Sequence, residues 1–261
     1  MTSGAYLYLS IHHIHNRSFT QSELCCCVSI LFFNIMGIIL LVLLLLSACG
    51  ADDAANIYDY MQFVQQWPAT FCYGNPNCVP NPPHSTFTIH GLWPSNYSTP
   101  EFPCVGTPFD PSQMFAAENR GLRDYFLPQA WPQLNARYTN LEFWKFEYEK
   151  HGMCSENYLN QMDYFRKAYW AWARFNAYVL FAASPKQIYP GNYYYTRDIE
   201  AAIQRVTSEK PLLMCKKVRV GTVDSCLLQE VIICLDRWAD NVVPCRLRLS
   251  SCNVPIIYYG Y

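Results

Sequence analysis

Two short segments hold residue types that could carry out acid–base chemistry together. The first reads Phe87-Thr88-Ile89-His90-Gly91-Leu92-Trp93-Pro94, and the second Phe143-Trp144-Lys145-Phe146-Glu147-Tyr148-Glu149-Lys150-His151-Gly152-Met153-Cys154. Each sets one histidine among aromatic residues and glycine, and the second adds Glu147 and Lys150. Imidazole titrates near pH ~6.5, so one histidine can take a proton while the other gives one. A lysine beside them can neutralise an anionic transition state. The set suits cleavage of a phosphodiester by its own 2′-hydroxyl.

Taken singly, each residue has an ordinary structural reading. His90 at a strand end could simply bond a backbone group, Trp93 could be core, and Glu147, Lys150 and His151 could form a solvated helix face with i,i+3 and i,i+4 pairs. Glu147 and His151 are four apart, as metal ligands can be, but there is no H-E-x-x-H pattern and residue 146 is phenylalanine. No metal or cofactor is therefore expected. The two segments together outweigh the single-residue readings.

The elements that must position them can be read from local pattern. Tyr58 to Trp67 alternates loosely and predicts a strand leading into a Cys72–Cys78 loop with several Pro and Asn. The β-branched and aromatic run Phe87-Thr88-Ile89 predicts a central strand with His90 at its end, facing a cleft. Asp110-Pro111 predicts the start of a helix through about Phe126. Leu141 to His151 predicts a helix ended by Gly152 as a C′ residue. On it Phe143, Glu147 and His151 share one face, with Lys150 on the same side. A long helix is expected from about Ser155 to Ala183, stopped by Pro185, and Thr196 is expected to cap a helix from Arg197 to about Thr207. Leu212–Val220 and Leu227–Leu235 read as strands. This irregular interleaving predicts an α+β fold, a mostly antiparallel central sheet with packed helices.

Half of the 261 residues are hydrophobic (51%), enough for a sizeable core, and no repeat or linker divides residues 51–261, which read as one domain. The net charge of −1 excludes binding a polyanion by bulk electrostatics, so any nucleic-acid contact needs a local site. Of the 13 cysteines, Cys25, Cys26, Cys27 and Cys49 precede the expected mature start. The others are Cys72, Cys78, Cys104, Cys154, Cys215, Cys226, Cys234, Cys245 and Cys252, which read as a disulfide framework with one thiol left over.

The amino terminus reads as an export signal. Ile35 to Leu46 is nearly continuous aliphatic sequence, short for a membrane span, and Ala48-Cys49-Gly50 offers small residues for cleavage near Gly50–Ala51. Residues 1–35 fit poorly, and translation starting at Met36 would make them a gene-model extension. The competing reading is a signal anchor over Val28 to Leu46. Export predicts a secreted, extracellular protein, with vacuole or endoplasmic reticulum lumen as the alternative and no stable membrane association after cleavage. Asn96-Tyr97-Ser98 is a glycosylation acceptor, expected on an exposed loop.

The two histidine segments resemble the active-site segments of the T2 family of secreted ribonucleases. The likeness extends along the chain: Phe63-Val64-Gln65-Gln66-Trp67-Pro68 is similar to the family's first strand, and Leu228-Gln229-Glu230-Val231-Ile232-Ile233-Cys234-Leu235-Asp236 to its last core strand. The resemblance implies a monomeric endoribonuclease that cleaves single-stranded RNA through a 2′,3′-cyclic phosphate. It implies His151 as general base, His90 as general acid, and Glu147 and Lys150 at the phosphate. The residues alone do not say which histidine is acid and which is base. Trp93 and Phe143 would shape the cleft, with Phe143 stacking on a base, and Gln66 and Gln133 match positions that contact a base edge. The implied disulfides are Cys72–Cys78, Cys104–Cys154, Cys215–Cys252 and Cys234–Cys245, leaving Cys226 as a small buried side chain on a strand or, failing that, an intermolecular thiol.

One position departs from the family. Many relatives carry a third histidine where this chain has Phe146, and its loss implies a slower enzyme rather than an inactive one. That loss, and the run His90 to Ser98 with its sequon, resemble the plant self-incompatibility branch, whose members meet a pollen-side recognition protein. Exposed stretches around Pro100–Pro108 and Tyr189–Tyr195 are candidate recognition surfaces, or simply surface aromatic packing. That branch is usually basic, whereas Arg17 and Glu23 are the only charged residues before position 51, so the mature chain keeps its near-neutral balance. A general secreted or vacuolar ribonuclease is the alternative, and a non-catalytic recognition or storage protein a further one.

Overall fold

The structure is a computed structural model and describes residues 58–98, 104–220, 223–246 and 250–260. The leader, the choice of start at Met36 and the cleavage site all lie outside these residues, as do positions 100–103 of the Pro100–Pro108 stretch.

The chain runs from β1 (Tyr60–Gln66) through α1 (Pro68–Cys72) to β2 (Thr88–Ser95). A broken helical stretch follows: α2 (Pro111–Phe115), a 3-10 turn at Ala117–Asn119, a π-helical turn at Leu122–Phe126, and α3 (Leu127–Ala130). Then come α4 (Asn140–Lys150), a 3-10 turn at Gly152–Ser155, α5 (Gln161–Phe175) and α6 (Ala177–Ala182). The chain ends with β3 (Asn192–Tyr195), α7 (Thr196–Thr207), β4 (Leu212–Val220), β5 (Val223–Asp236) and β6 (Ile256–Tyr259). The strands form one sheet in the order β2-β1-β5-β6-β3, with β4 also paired to β5. All pairings are antiparallel except β5–β6, which meet in parallel at Leu227 and Tyr258. The α+β expectation holds, with a mixed sheet.

β1 is buried along its whole length because β2 and β5 flank it and helices cover it. Its polar side chains are used accordingly: Gln65 donates to the Phe175 carbonyl and accepts from the Ala177 N–H, tying the strand to the α5–α6 junction. Aromatic rings fill much of the core. Trp67 lies 5.1 Å from Phe87 and 4.8 Å from Tyr259, while Tyr148, Tyr164 and Phe165 pack under Trp131. Fully burying one such ring is worth about 1.5–3 kcal/mol, which is where the high aromatic content is spent.

The four expected disulfides are present: Cys72–Cys78, Cys104–Cys154, Cys215–Cys252 and Cys234–Cys245. Cys226 is free and half-buried on β5, less enclosed than expected.

Several local expectations are corrected. The strand carrying His90 is an edge strand, not a central one, and it continues to Ser95 instead of ending at His90. The helix expected from Asp110 to Phe126 begins as foreseen, with Asp110 accepting from the Ser112 N–H, but breaks at Ala116, whose backbone is extended. The amide of Asn119 then takes the Gln113 carbonyl. The helix expected over Ser155–Ala183 is two, α5 and α6, because Asn160 and Asn176 each cap a new start. Thr196 is the first residue of α7 rather than its cap, and its hydroxyl donates to the Val254 carbonyl. Gly152 does not take a left-handed C′ conformation. A Cβ there would stand 2.6 Å from the Tyr148 ring and 2.9 Å from Tyr164, so close packing is what demands glycine.

Candidate active site

His90 owes its position to an irregularity. Gln65 pairs with Ile89 and Val64 with Gly91, so His90 is an extra residue without a partner on β1. Such a bulge bends the strand and re-aims one side chain. The His90 carbonyl accepts from Trp131 Nε1 at 3.0 Å, and the Trp131 carbonyl accepts from Trp144 Nε1 at 2.8 Å. These two bonds tie the bulge to α3 and α4.

α4 brings the second segment. Thr139 and Glu142 form a reciprocal capping box at its start, which fixes where its turns fall. Trp144, Glu147 and Tyr148 face inward, while Phe146 and Lys150 are exposed. Glu147 is 2% exposed, and its Oε2 accepts from Trp93 Nε1 at 2.9 Å. The approach is so close that a Cβ on Gly91 would collide with both the Trp93 indole and the Glu147 carboxylate. Only glycine fits there. Val64, Leu212 and Ile232 form an apolar floor beneath Trp93.

His151 follows the last turn of α4, its N–H bonded to the Glu147 carbonyl at 2.9 Å. Its ring stacks on Trp93, centroids 4.9 Å apart and planes 28° apart. His90 also packs on that indole, edge-on at 5.0 Å. His151 Nε2 is buried and has no hydrogen-bond partner among the described residues. The Cys104–Cys154 disulfide anchors the chain three residues beyond His151.

The two histidines sit in opposite electrostatic settings. Burial works against charging His90, but the hydrogen bond and negative charge of Glu230, joined by Glu147, outweigh it and the repulsion of Lys150. His90 therefore holds its proton above the usual histidine range. Burial pushes His151 down to about 3, with Lys150 and His90 adding repulsion. Burial also lifts the Glu147 carboxyl above the usual range, against the pull of His90, Trp93 and Lys150.

The remaining expected residues fall around this centre. Phe143 lies 6.5 Å from the His90 ring and is partly exposed, as a stacking surface requires. Lys150 is exposed beside the site, its Nζ 5.5 Å from the ring of Phe146, which is 55% exposed. Gln66 is buried at the end of β1, in a row with Thr88 on β2 and Glu230 on β5. Gln133 is half-buried in the turn after α3, where its Oε1 accepts from the Asn135 N–H. Asn96 is half-buried at the end of β2, next to exposed Tyr97 and Ser98. Among the described residues no group of three or more His, Cys, Asp or Glu gathers as for a metal ion.

Two contributors were not foreseen as site residues. Glu230 bonds His90, and Trp131 holds its backbone. A lone acid within the apolar run Leu227–Leu235 was a visible signal for Glu230. Nothing local pointed to its partner, 140 positions away.

Two imidazoles of opposite protonation bias packed against one indole, with a carboxylate and a lysine at hand, can move two protons across a phosphodiester. Residues 58–245 match the model of the Ribonuclease T2 family. The chain belongs to the ribonuclease T2 family. It is 35% identical over 192 residues to Ribonuclease S-F11 of Nicotiana alata, covering 72% of this chain and 91% of that protein. Ribonuclease 1 of Arabidopsis thaliana is 32% identical over 216 residues, covering 80% of this chain and 89% of that one. Among solved structures, the Nicotiana alata SF11-RNase associated with gametophytic self-incompatibility superposes with a TM-score of 0.64 at 30% identity, covering 78% of this chain and all of that one. As a T2 ribonuclease the protein is an endoribonuclease of plant type, and RNA is its substrate.

Proposed function

We propose that this T2 ribonuclease cleaves single-stranded RNA with His151 as general base and His90 as general acid. As the 2′-oxygen attacks phosphorus, its proton passes to His151. The P–O5′ bond breaks while His90 gives its proton to the departing oxygen, leaving a 2′,3′-cyclic phosphate and a free 5′-hydroxyl. In the second step water attacks the cyclic ester and the two histidines exchange roles, which restores both. Glu147 and Lys150 hold and neutralise the phosphate. Phe143 offers a face to a base, and Gln66 and Gln133 contact base edges.

The observation that carries this assignment is the contrast between the histidines. His90 is biased toward the charged form that an acid needs, and His151 toward the neutral form that a base needs. A base this weakly protonated gains strength when an anionic phosphate sits beside it, because the negative charge favours imidazolium. The test is digestion of single-stranded RNA by purified protein between about pH 5 and 7. Fragments ending in cyclic phosphate support the reading, and intact RNA overturns it. His90→Asn should abolish cleavage with the fold retained.

In its biological setting, we infer a secreted glycoprotein of the style, acting in self-incompatibility. Likeness to Ribonuclease S-F11, the sequon at Asn96 and the loss of histidine at position 146 support this. The partner would be a pollen-side recognition protein meeting a monomer at exposed surfaces such as Tyr189–Tyr195, where Tyr193 is 64% exposed. Near-neutral charge and likeness to Arabidopsis Ribonuclease 1 favour a second reading, a general secreted or vacuolar ribonuclease. Expression confined to styles, with pollen rejection lost in His90→Asn, decides for the first. Rejection that survives in that variant would point instead to a recognition protein that does not depend on cleavage.

A further inference from the structure

The reaction as written makes no use of Glu230, yet this carboxylate makes the only side-chain hydrogen bond found for His90 among the described residues. It stands on β5 within the apolar run Leu227–Leu235, with 13% of its side chain exposed. β1 lies between β5 and β2, so Glu230 and His90 belong to strands two spacings apart, on the order of 9–10 Å. Both side chains lean across β1, and the bulge aims the imidazole that way, closing the gap to 2.7 Å between His90 Nδ1 and Glu230 Oε1. A carboxylate only accepts, so Nδ1–H is the donor.

We infer that Glu230 is a positioning residue for His90: it fixes the ring's orientation and its Nδ1–H tautomer, leaving Nε2 as the nitrogen that faces substrate. This rests on reading His90 as the general acid. A charge-assisted bond of this length removes the ring's freedom to flip, so the proton to be transferred is always on the nitrogen that can deliver it. The same carboxylate stabilises the imidazolium. The other charged groups facing His90 are Glu147 and Lys150 from α4, with His151 just beyond, and Lys150 opposes the charge that Glu147 favours. Glu230 is the one of these in direct contact with the ring.

The test compares wild type with Glu230→Gln, which keeps shape and an acceptor but loses charge, and with Glu230→Leu, which loses both. RNA cleavage is followed as a function of pH, alongside nitrogen-resolved NMR of the histidines in wild type. In Glu230→Gln, kcat should fall by about tenfold, within the contribution of a general acid, with KM little changed and the alkaline limb of the profile moved to lower pH. Glu230→Leu should lose more. In wild type, neutral His90 should be the Nδ1–H tautomer, an observation that needs no variant and no activity. A wild-type pH profile and kcat in Glu230→Gln, or an Nε2–H tautomer in wild type, would overturn the inference. Wild-type protein that leaves RNA intact would instead overturn the reading of the site, while the tautomer still reports on Glu230. If neither variant folds, the tautomer and titration of His90 in wild type decide.

Discussion

The indole of Trp93 is stacked on the imidazole of His151, 4.9 Å between centroids, and donates its N–H to Glu147 at 2.9 Å. One side chain thus sets the position of His151 and satisfies the carboxylate beside it. Trp93→Phe would keep a ring but remove the donor, leaving Glu147 buried without that bond. The expected cost is about 1–3 kcal/mol of stability, read by thermal denaturation, with cleavage of RNA reduced at least tenfold.

Activity should follow a bell with an unusually broad acidic side. As the proposed base His151 must be neutral, and its folded value of about 3 keeps it neutral through mildly acidic pH. As the proposed acid His90 must be charged, and its raised value places the alkaline limb above the ordinary histidine range. Stability responds in matching windows. His151 is depressed on folding, so its contribution is full above its unfolded value and is lost as pH falls toward about 3. His90 is raised, so its contribution is full below its unfolded value and is lost as pH climbs through the folded one. Cleavage rates and melting temperatures across pH check both, and a kcat/KM profile, which reports the free enzyme, with its acidic limb at the ordinary histidine value would contradict the assignment of His151.

Much of this site could be read in advance, and the misses have a common cause. α4 lies within a residue of the expected Leu141–His151, because helical character is a local property, although its capping box and the inward turn of Trp144 and Tyr148 were not foreseen. His90, Trp93, Glu147 and His151 converge as their segments promised. The break at Asn176 was invisible because the amide that caps α6 also donates to the Phe87 carbonyl and the Thr86 hydroxyl, some ninety residues away. The bond from Glu230 to His90 was hidden for the same reason: tertiary partners leave no mark on local spacing. The placement of β2 at the sheet edge likewise depends on pairing order, which residue types along one strand do not encode.

Glu147 should trade stability for function. Its folded value is raised by burial, so its contribution is favourable below the unfolded carboxyl value and is lost as pH rises through the folded one. At neutral pH the ionised side chain strains the fold. Glu147→Gln keeps an oxygen for Trp93 while removing that charge. It should be more stable at pH 7 by about 1 kcal/mol, or ~2–4 °C in melting temperature for a chain of this size, and markedly less active. A melting temperature that fell would show that the carboxylate is needed structurally.

Phe146 can be examined by replacement. It is exposed at the surface of α4, with the Lys150 ammonium 5.5 Å from its ring. Phe146→His removes that contact and places a third imidazole one residue before Glu147. A rise in kcat/KM of up to about tenfold in mildly acidic buffer is expected, with stability changed by less than about 0.5 kcal/mol as for other exposed positions. Unchanged kinetics would show that Phe146 costs the enzyme nothing.

The extra residue at position 90 has a consequence unrelated to catalysis. β2 closes one side of the sheet, where an edge strand can offer its outward N–H and C=O groups to a strand from another molecule; here none of its residues is exposed and the His90 carbonyl is already bonded to Trp131. The bulge breaks the regular spacing of those groups at the middle of the strand, and Pro94 removes one donor near its end. The same kink that takes His90 out of register with β1 therefore makes this border a poor template for strand addition.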